Sequence, residues 1–132
     1  MTQLKNKRIL VIVAGGIAAY KSLELVRRLR DADAAVRVVM TQAAQQFVGQ
    51  LSFQALSGQI VRSDLLDPGA EAAMGHIELA RWADAVVIAP ATADILARVC
   101  AGLADDLATT ICLATTAPLL IAPAMNQQMW QN

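Results

Sequence analysis

A chain of 132 residues with 11 basic and 11 acidic side chains has no formal net charge and room for one small domain; it lacks the basic face that nucleic acid requires. It is 56% hydrophobic but only 4% aromatic, so its core must be built from Ala, Val, Leu and Ile, and part of its apolar surface is expected to be buried against other subunits. A single histidine and two cysteines outside any Cys-x-x-Cys pair supply no ligand set for zinc and suit reduced, cytosolic thiols.

Lys5, Lys7 and Arg8 followed by Ile9 to Val13 imitate the start of a signal peptide, but Gly15-Gly16 ends the run and an amphipathic stretch follows. Arg8 to Val13 therefore reads as a first strand, covered on both faces. Ile17 to Arg30 places Tyr20, Leu23, Val26 and Leu29 at helical spacing, with Arg27, Arg28 and Arg30 in the last turns. Ala35 to Met40 is the second strand. Gln42 to Val48 and Ser52 to Leu56 are short helices separated near Gly49, and Gln59 to Arg62 is a weak third strand. Asp64 to Gly75, with Asp67-Pro68-Gly69, reads as a surface loop. His76 to Trp82 makes one or two helical turns, and Ala85 to Ala89 is the fourth strand. Helices over Thr92 to Ala101 and Asp105 to Ala114 are separated by Gly102. The apolar run from Pro118 contains a buried fifth strand, Leu119 to Ala122. Asn126 then stands where a last helix begins. No apolar stretch approaches the ~18 residues that span a bilayer, so a soluble protein is expected.

This alternation predicts an α/β fold: a Rossmann-like, doubly wound parallel sheet in three layers, flavodoxin-like, in a single domain. In such a sheet a ligand lies beyond the carboxyl ends of the strands, where strand order reverses. That point falls between the first and fourth strands, which singles out Ala14-Gly15-Gly16-Ile17 and Pro90-Ala91-Thr92-Ala93-Asp94. Gly15 and Gly16 can expose backbone amides to a phosphate, or can serve only a tight turn. The dinucleotide fingerprint and the Walker loop are both absent, and Thr41 stands where a ribose-binding acid would be. Thr92 offers a second hydroxyl or a helix cap. Several neutral donors around one crevice suit a mononucleotide better than a dinucleotide. Asn126 can cap its helix or bind a substrate carboxylate without adding charge.

Pro123-Ala124-Met125-Asn126-Gln127-Gln128-Met129-Trp130 resembles the Pro-x-Met-Asn-x-x-Met-Trp signature of the homo-oligomeric flavin-containing cysteine decarboxylases. The stretches Gly15 to Lys21, Gly75 to Leu79 and Pro90 to Asp94 resemble further motifs of that family. The likeness is greatest to the flavoprotein half of the bacterial bifunctional phosphopantothenoylcysteine decarboxylase/phosphopantothenate–cysteine ligases of coenzyme A synthesis. It implies FMN bound by Gly15, Gly16, Ile17, Thr41, Thr92, Ala93, Asp94, Ile95 and Ala124. It also implies that His76 and Asn126 act on 4′-phosphopantothenoylcysteine, with Met125 and Met129 beside the substrate. A cytoplasmic homo-oligomer is implied too, a trimer or a dodecamer built of trimers, with FMN near the subunit interface and no metal, membrane or nucleic acid.

Three positions depart from the pattern. Ala14 replaces a frequent Ser, and Asp94 and Ile95 replace Asn-Thr. Beside a phosphate, Asp94 is expected to cap the helix or bind a backbone amide instead. Family members continue into a flap with a glycine-flanked catalytic cysteine, a context that neither Cys100 nor Cys112 shares. The chain is therefore expected to be a truncated flavoprotein domain, residues 1–132, with incomplete decarboxylation. A non-catalytic FMN-binding or regulatory subunit and a flavin prenyltransferase are the alternatives.

Overall fold

Residues 3–69 and 74–132 are described by a computed structural model. Four strands, β1 (Arg8–Val13), β2 (Ala35–Met40), β3 (Ala85–Ala91) and β4 (Leu119–Pro123), form one sheet in the order β2-β1-β3-β4. All three pairings are parallel. The helices are α1 (Lys21–Asp31), α2 (Gln50–Ser57), α3 (His76–Trp82), α4 (Ala93–Cys100), α5 (Leu107–Ala114) and α6 (Gln127–Gln131). The result is a three-layer, flavodoxin-like α/β fold whose order reverses between β1 and β3.

Successive residues of a strand face opposite sides, and β1 uses both. Ile9, Val11 and Val13 pack with Val26 of α1, Phe53 of α2 and Met40 on one face. Leu10 and Ile12 pack with Leu79 of α3, Ile95 of α4, and Leu107 and Ile111 of α5 on the other. Burial on both faces explains the unbroken apolar run. The helices end where local chemistry ends them. Gly58, just after α2, takes the left-handed conformation at φ 72°, and its amide donates to the Gln54 carbonyl at 2.9 Å. Arg30 of α1 donates to the Ser57 and Leu56 carbonyls at the same helix end.

Three expectations are corrected. Gln59 to Arg62 forms no strand. Only Arg62 reaches the open edge of β2, as a single bridge to Val39, donating to the Val38 carbonyl and accepting from the Met40 amide. Val61 packs into the core with Val36 and Val38, but Gln59 and Ile60 remain exposed. The segment therefore meets the sheet through one buried side chain and one backbone bridge rather than a ladder. The expected helices Ile17 to Arg30 and Gln42 to Val48 are tighter at Ile17–Tyr20 and at Ala44–Gln46, which are short 3-10 turns. The last strand is not buried: as the sheet's outer edge it leaves Leu120 51% and Ile121 44% exposed. β3 also runs on through Pro90 to Ala91, with its register to β4 shifted between Ile88 and Ala91. Part of the expected loop, 70–73, lies outside the described residues. Among the described residues, no helix is long and apolar enough to cross a membrane.

Candidate functional site

The carboxyl ends of the strands are tied together by backbone bonds just beyond the sheet. Thr41 donates to the Val13 carbonyl at 3.1 Å, Ala14 to that of Pro90 at 3.3 Å, and Ala124 to that of Ala91 at 3.0 Å. The buried Ser22 hydroxyl fixes α1 to the same place, donating to the Ala89 carbonyl at 2.6 Å. Above these ties opens a cavity of about 1080 Å³.

Gly15, Gly16, Ile17, Thr41, Thr92, Ala93, Asp94, Ile95, Ala124, Met125, Asn126 and Met129, the residues singled out in four separate stretches, all line it. His76 does not; it opens α3, half-buried, after Gly75.

The two glycines differ in kind. A Cβ on Gly15 would lie 2.4 Å from the Ala43 Cβ and 2.7 Å from its carbonyl carbon, so Gly15 is needed for the close approach of two loops. A Cβ on Gly16 would meet only the Thr92 methyl, at an ordinary 3.6 Å. The fold itself therefore leaves Gly16 free, and the space beside it belongs to the cavity. No side chain caps the turn that starts at Gly16, which leaves its first amides available on the cavity wall.

Three polar side chains on the wall share one arrangement. Thr41 Oγ1 accepts from the Ala44 amide at 3.1 Å, Thr92 Oγ1 from Ile95 at 3.3 Å, and Asn126 Oδ1 from Met129 at 2.9 Å. Each oxygen thus closes a turn or caps a helix, Thr92 starting α4 and Asn126 starting α6. What remains to each is a donor: the hydroxyl hydrogens of the threonines and the Nδ2 amide of Asn126. Capping and ligand binding are therefore not exclusive roles for these residues.

The same cavity is lined by a charged group whose contacts the sequence did not announce. Arg98 Nη1 bonds both carboxylate oxygens of Asp105, at 2.7 and 2.9 Å, and its Nε lies 3.3 Å from Asp94. Among the described residues Asp94 caps no helix and holds no backbone amide; it pairs with Arg98, one turn along α4. The Arg98 guanidinium holds the Asp105 carboxyl below the usual carboxylate range. Asp106 closes a capping box with Thr109, its Oδ1 accepting the Thr109 amide at 2.8 Å, and so fixes the start of α5. The pattern Asp-x-x-Thr was a legible sign of that cap, but nothing in it pointed to a cavity. Away from the site, burial pushes the Cys112 thiol up to about 11, whereas Cys100 is exposed.

The cavity has neutral donors at the strand ends, one arginine among three aspartates elsewhere in its lining, and apolar Met125, Met129 and Ile17 around it. It can take a flat or elongated molecule whose anionic end meets the neutral donors. Comparisons with known proteins identify the family. The family model described as Flavoprotein matches residues 1–132. The chain is 64% identical over 128 residues to the coenzyme A biosynthesis bifunctional protein CoaBC of Escherichia coli K12, and 45% identical over 129 residues to that of Bacillus subtilis. These alignments cover 97% and 98% of the chain but 32% of each relative, so the chain spans about a third of the length of these curated relatives. Among solved structures, the FMN-dependent cysteine decarboxylase SpaF superposes with a TM-score of 0.88 at 35% identity, covering 98% of this chain and 74% of that one. A variant PPC decarboxylase complexed with pantothenoylaminoethenethiol gives 0.79 at 36%, covering 97% and 72%.

Proposed function

Because the chain belongs to the flavoprotein family, which it matches throughout, we propose that its cavity binds FMN and serves the decarboxylation of 4′-phosphopantothenoylcysteine towards 4′-phosphopantetheine in coenzyme A synthesis. The observation that carries this reading is the convergence of Thr41, Thr92 and Asn126 on one cavity, each with its oxygen committed and a hydrogen left to donate. The residues fit the cofactor: Gly16 carries no side chain on the cavity wall, where a phosphate can come close to backbone, and Thr41 rather than an acid stands after β2, where a dinucleotide's ribose would need one. When bound, FMN supplies the reversible hydride acceptance that gives a cysteine carboxylate an electron sink.

The chain's own residues do the positioning. The Gly16–Ile17 amides and the Thr92 hydroxyl hold the phosphate end, with Thr41 donating beside them. Ala93, Ile95 and Ala124 supply apolar contact. Asn126 Nδ2 donates to the substrate carboxylate and orients the bond to be broken, without the repulsion a charged acceptor would bring. Met125 and Met129 keep water from that end. His76, whose imidazole nitrogen can accept a proton, acts as the general base that removes the thiol proton. Since His76 lies outside the cavity of its own subunit, it serves that of a neighbouring copy in a trimer or a multiple of trimers. Exposed Ile17, Ile121, Met129 and Trp130 around the site supply apolar surface for such contacts. Two free thiols suit a cytoplasmic setting.

A non-catalytic FMN-binding subunit is the second reading, favoured by that same displacement of His76. The test is a visible spectrum of purified protein, mass spectrometry of the released cofactor, and carbon dioxide release from 4′-phosphopantothenoylcysteine. Yellow, FMN-bearing protein that releases carbon dioxide is the expected result. Yellow but inert protein supports the second reading, and a dinucleotide or no cofactor overturns both.

A further inference from the structure

The cavity wall carries three aspartates, Asp94, Asp105 and Asp106, against a single cation, Arg98. Both molecules in the proposed reaction bring a phosphate monoester into or past this wall, where uncompensated carboxylates would repel it. The contacts of Arg98 are arranged for more than neutralising its neighbours. Asp105 occupies Nη1 from one side, and Asp94 lies against Nε. Among the described residues, Nη2 makes no hydrogen bond. Its two N–H groups therefore remain available in a guanidinium plane whose orientation two carboxylates already fix. A planar, pre-oriented fork is the geometry that recognises phosphate oxygens at small entropic cost.

We propose that Arg98 is a specificity-determining residue that reads the phosphate monoester of a ligand in this cavity through Nη2, with Asp105 and Asp94 as its positioning partners. The inference rests on the FMN and phosphorylated-substrate reading above. The phosphate could be that of FMN or that of the substrate, and the two sources separate experimentally. Asp105 then has two opposed effects: it holds the guanidinium in place, and it competes with the incoming phosphate for the same charge.

The experiment titrates the full chain with FMN and with riboflavin. It then titrates the flavin-loaded protein with 4′-phosphopantothenoylcysteine and with its dephosphorylated counterpart. Wild type prefers the phosphorylated member of at least one pair. Arg98→Gln lowers that preference by on the order of tenfold, the worth of one charge-assisted hydrogen bond, and the affected pair identifies the source. Asp105→Asn cuts the same tether between α4 and the following loop but spares the guanidinium, so the preference is kept or increased.

A purely structural tether predicts the opposite pattern: both variants lose phosphorylated and dephosphorylated ligands alike, and that result overturns the inference alone. If Arg98→Gln does not fold, Arg98→Lys decides. A preference intermediate between wild type and one supports phosphate reading, and an unchanged preference refutes it. Wild type that binds neither flavin sinks the functional reading itself, and this inference with it.

Discussion

The two walls of the cavity are built on opposite plans. The neutral wall, with Gly16, Thr41, Thr92 and Asn126, stands directly on the strand ends and is held by backbone bonds between β1, β2, β3 and β4. The charged wall, with Asp94, Arg98, Asp105 and Asp106, stands on α4 and the loop that follows it. It is held by side chains that are mostly exposed. One wall shares the stability of the sheet; the other depends on solvent-exposed ion pairs, which contribute little to stability. The first is therefore the place to fix a cofactor, and the second the place where selectivity can change without unfolding the protein.

The contrast breaks most severely at Gly15. Gly15→Val drives a side chain into Ala43, and overpacking of this kind costs about 1–3 kcal/mol or more. A melting temperature lower by on the order of 5–10 °C is expected by calorimetry. Gly16→Val should melt near wild type yet purify without flavin colour. A fully flavinylated Gly16→Val protein would place the phosphate elsewhere.

At the far end of the neutral wall, Asn126→Asp keeps the oxygen that caps α6 but sets a carboxylate against the substrate's own. Substrate affinity of the flavin-loaded protein should fall by on the order of tenfold or more while melting stays unchanged. Asn126→Ala should lose both the substrate contact and about 1 kcal/mol of cap. His76→Asn should keep the colour and lose turnover. Mixed with Asn126→Asp protein it should recover part of that turnover, because some cavities would then combine an intact Asn126 with a neighbour's intact His76. No recovery in demonstrably mixed oligomers would place His76 in its own subunit's site.

Acid distinguishes the walls more gently. Because Arg98 depresses the Asp105 carboxyl in the folded chain, their tie contributes fully above the unfolded value near 3.9 and is lost as pH falls through the lower folded value. Hydrogen exchange in 101–106 should rise below about pH 4 while that of β1 does not. Asp105→Asn should remove this acid dependence. The smallest effect belongs to Asp94→Asn, which removes an exposed pair one turn long and should be visible only as a slight shift in melting.

The neutral wall was legible in the sequence because its residues follow strands, and strand order says where a ligand goes. Thr41, Thr92 and Asn126 could each be found by asking what stands within four residues past an apolar run. The charged wall was hidden because Arg98 and Asp105 are separated by Gly102 and look like ordinary solvated charges until the chain turns back. Gly15 and Gly16 looked equivalent for a similar reason: only the approach of Ala43 from a distant loop separates them. The apolar pattern also could not say whether a strand would find a neighbour. Gln59 to Arg62 found one for a single residue, and Leu120 and Ile121 found only partial cover at the sheet's edge.

The all-parallel pairing carries a consequence for how the chain is made. No two neighbouring strands are joined by a tight hairpin, so every pairing waits for a long crossover to be synthesised and to condense. The tie between Arg8 and Asp84 closes a separation of 76 residues. A nascent chain can assemble β1, α1 and β2 early, but β1 then presents one bare edge until β3 leaves the ribosome. During that interval Ile9 to Val13, the most apolar strand of the sheet, is exposed to pairing with other chains. Holdase chaperones that bind short apolar segments should therefore engage this protein at its amino-terminal strand, and release it once Ala85 to Ala91 has emerged.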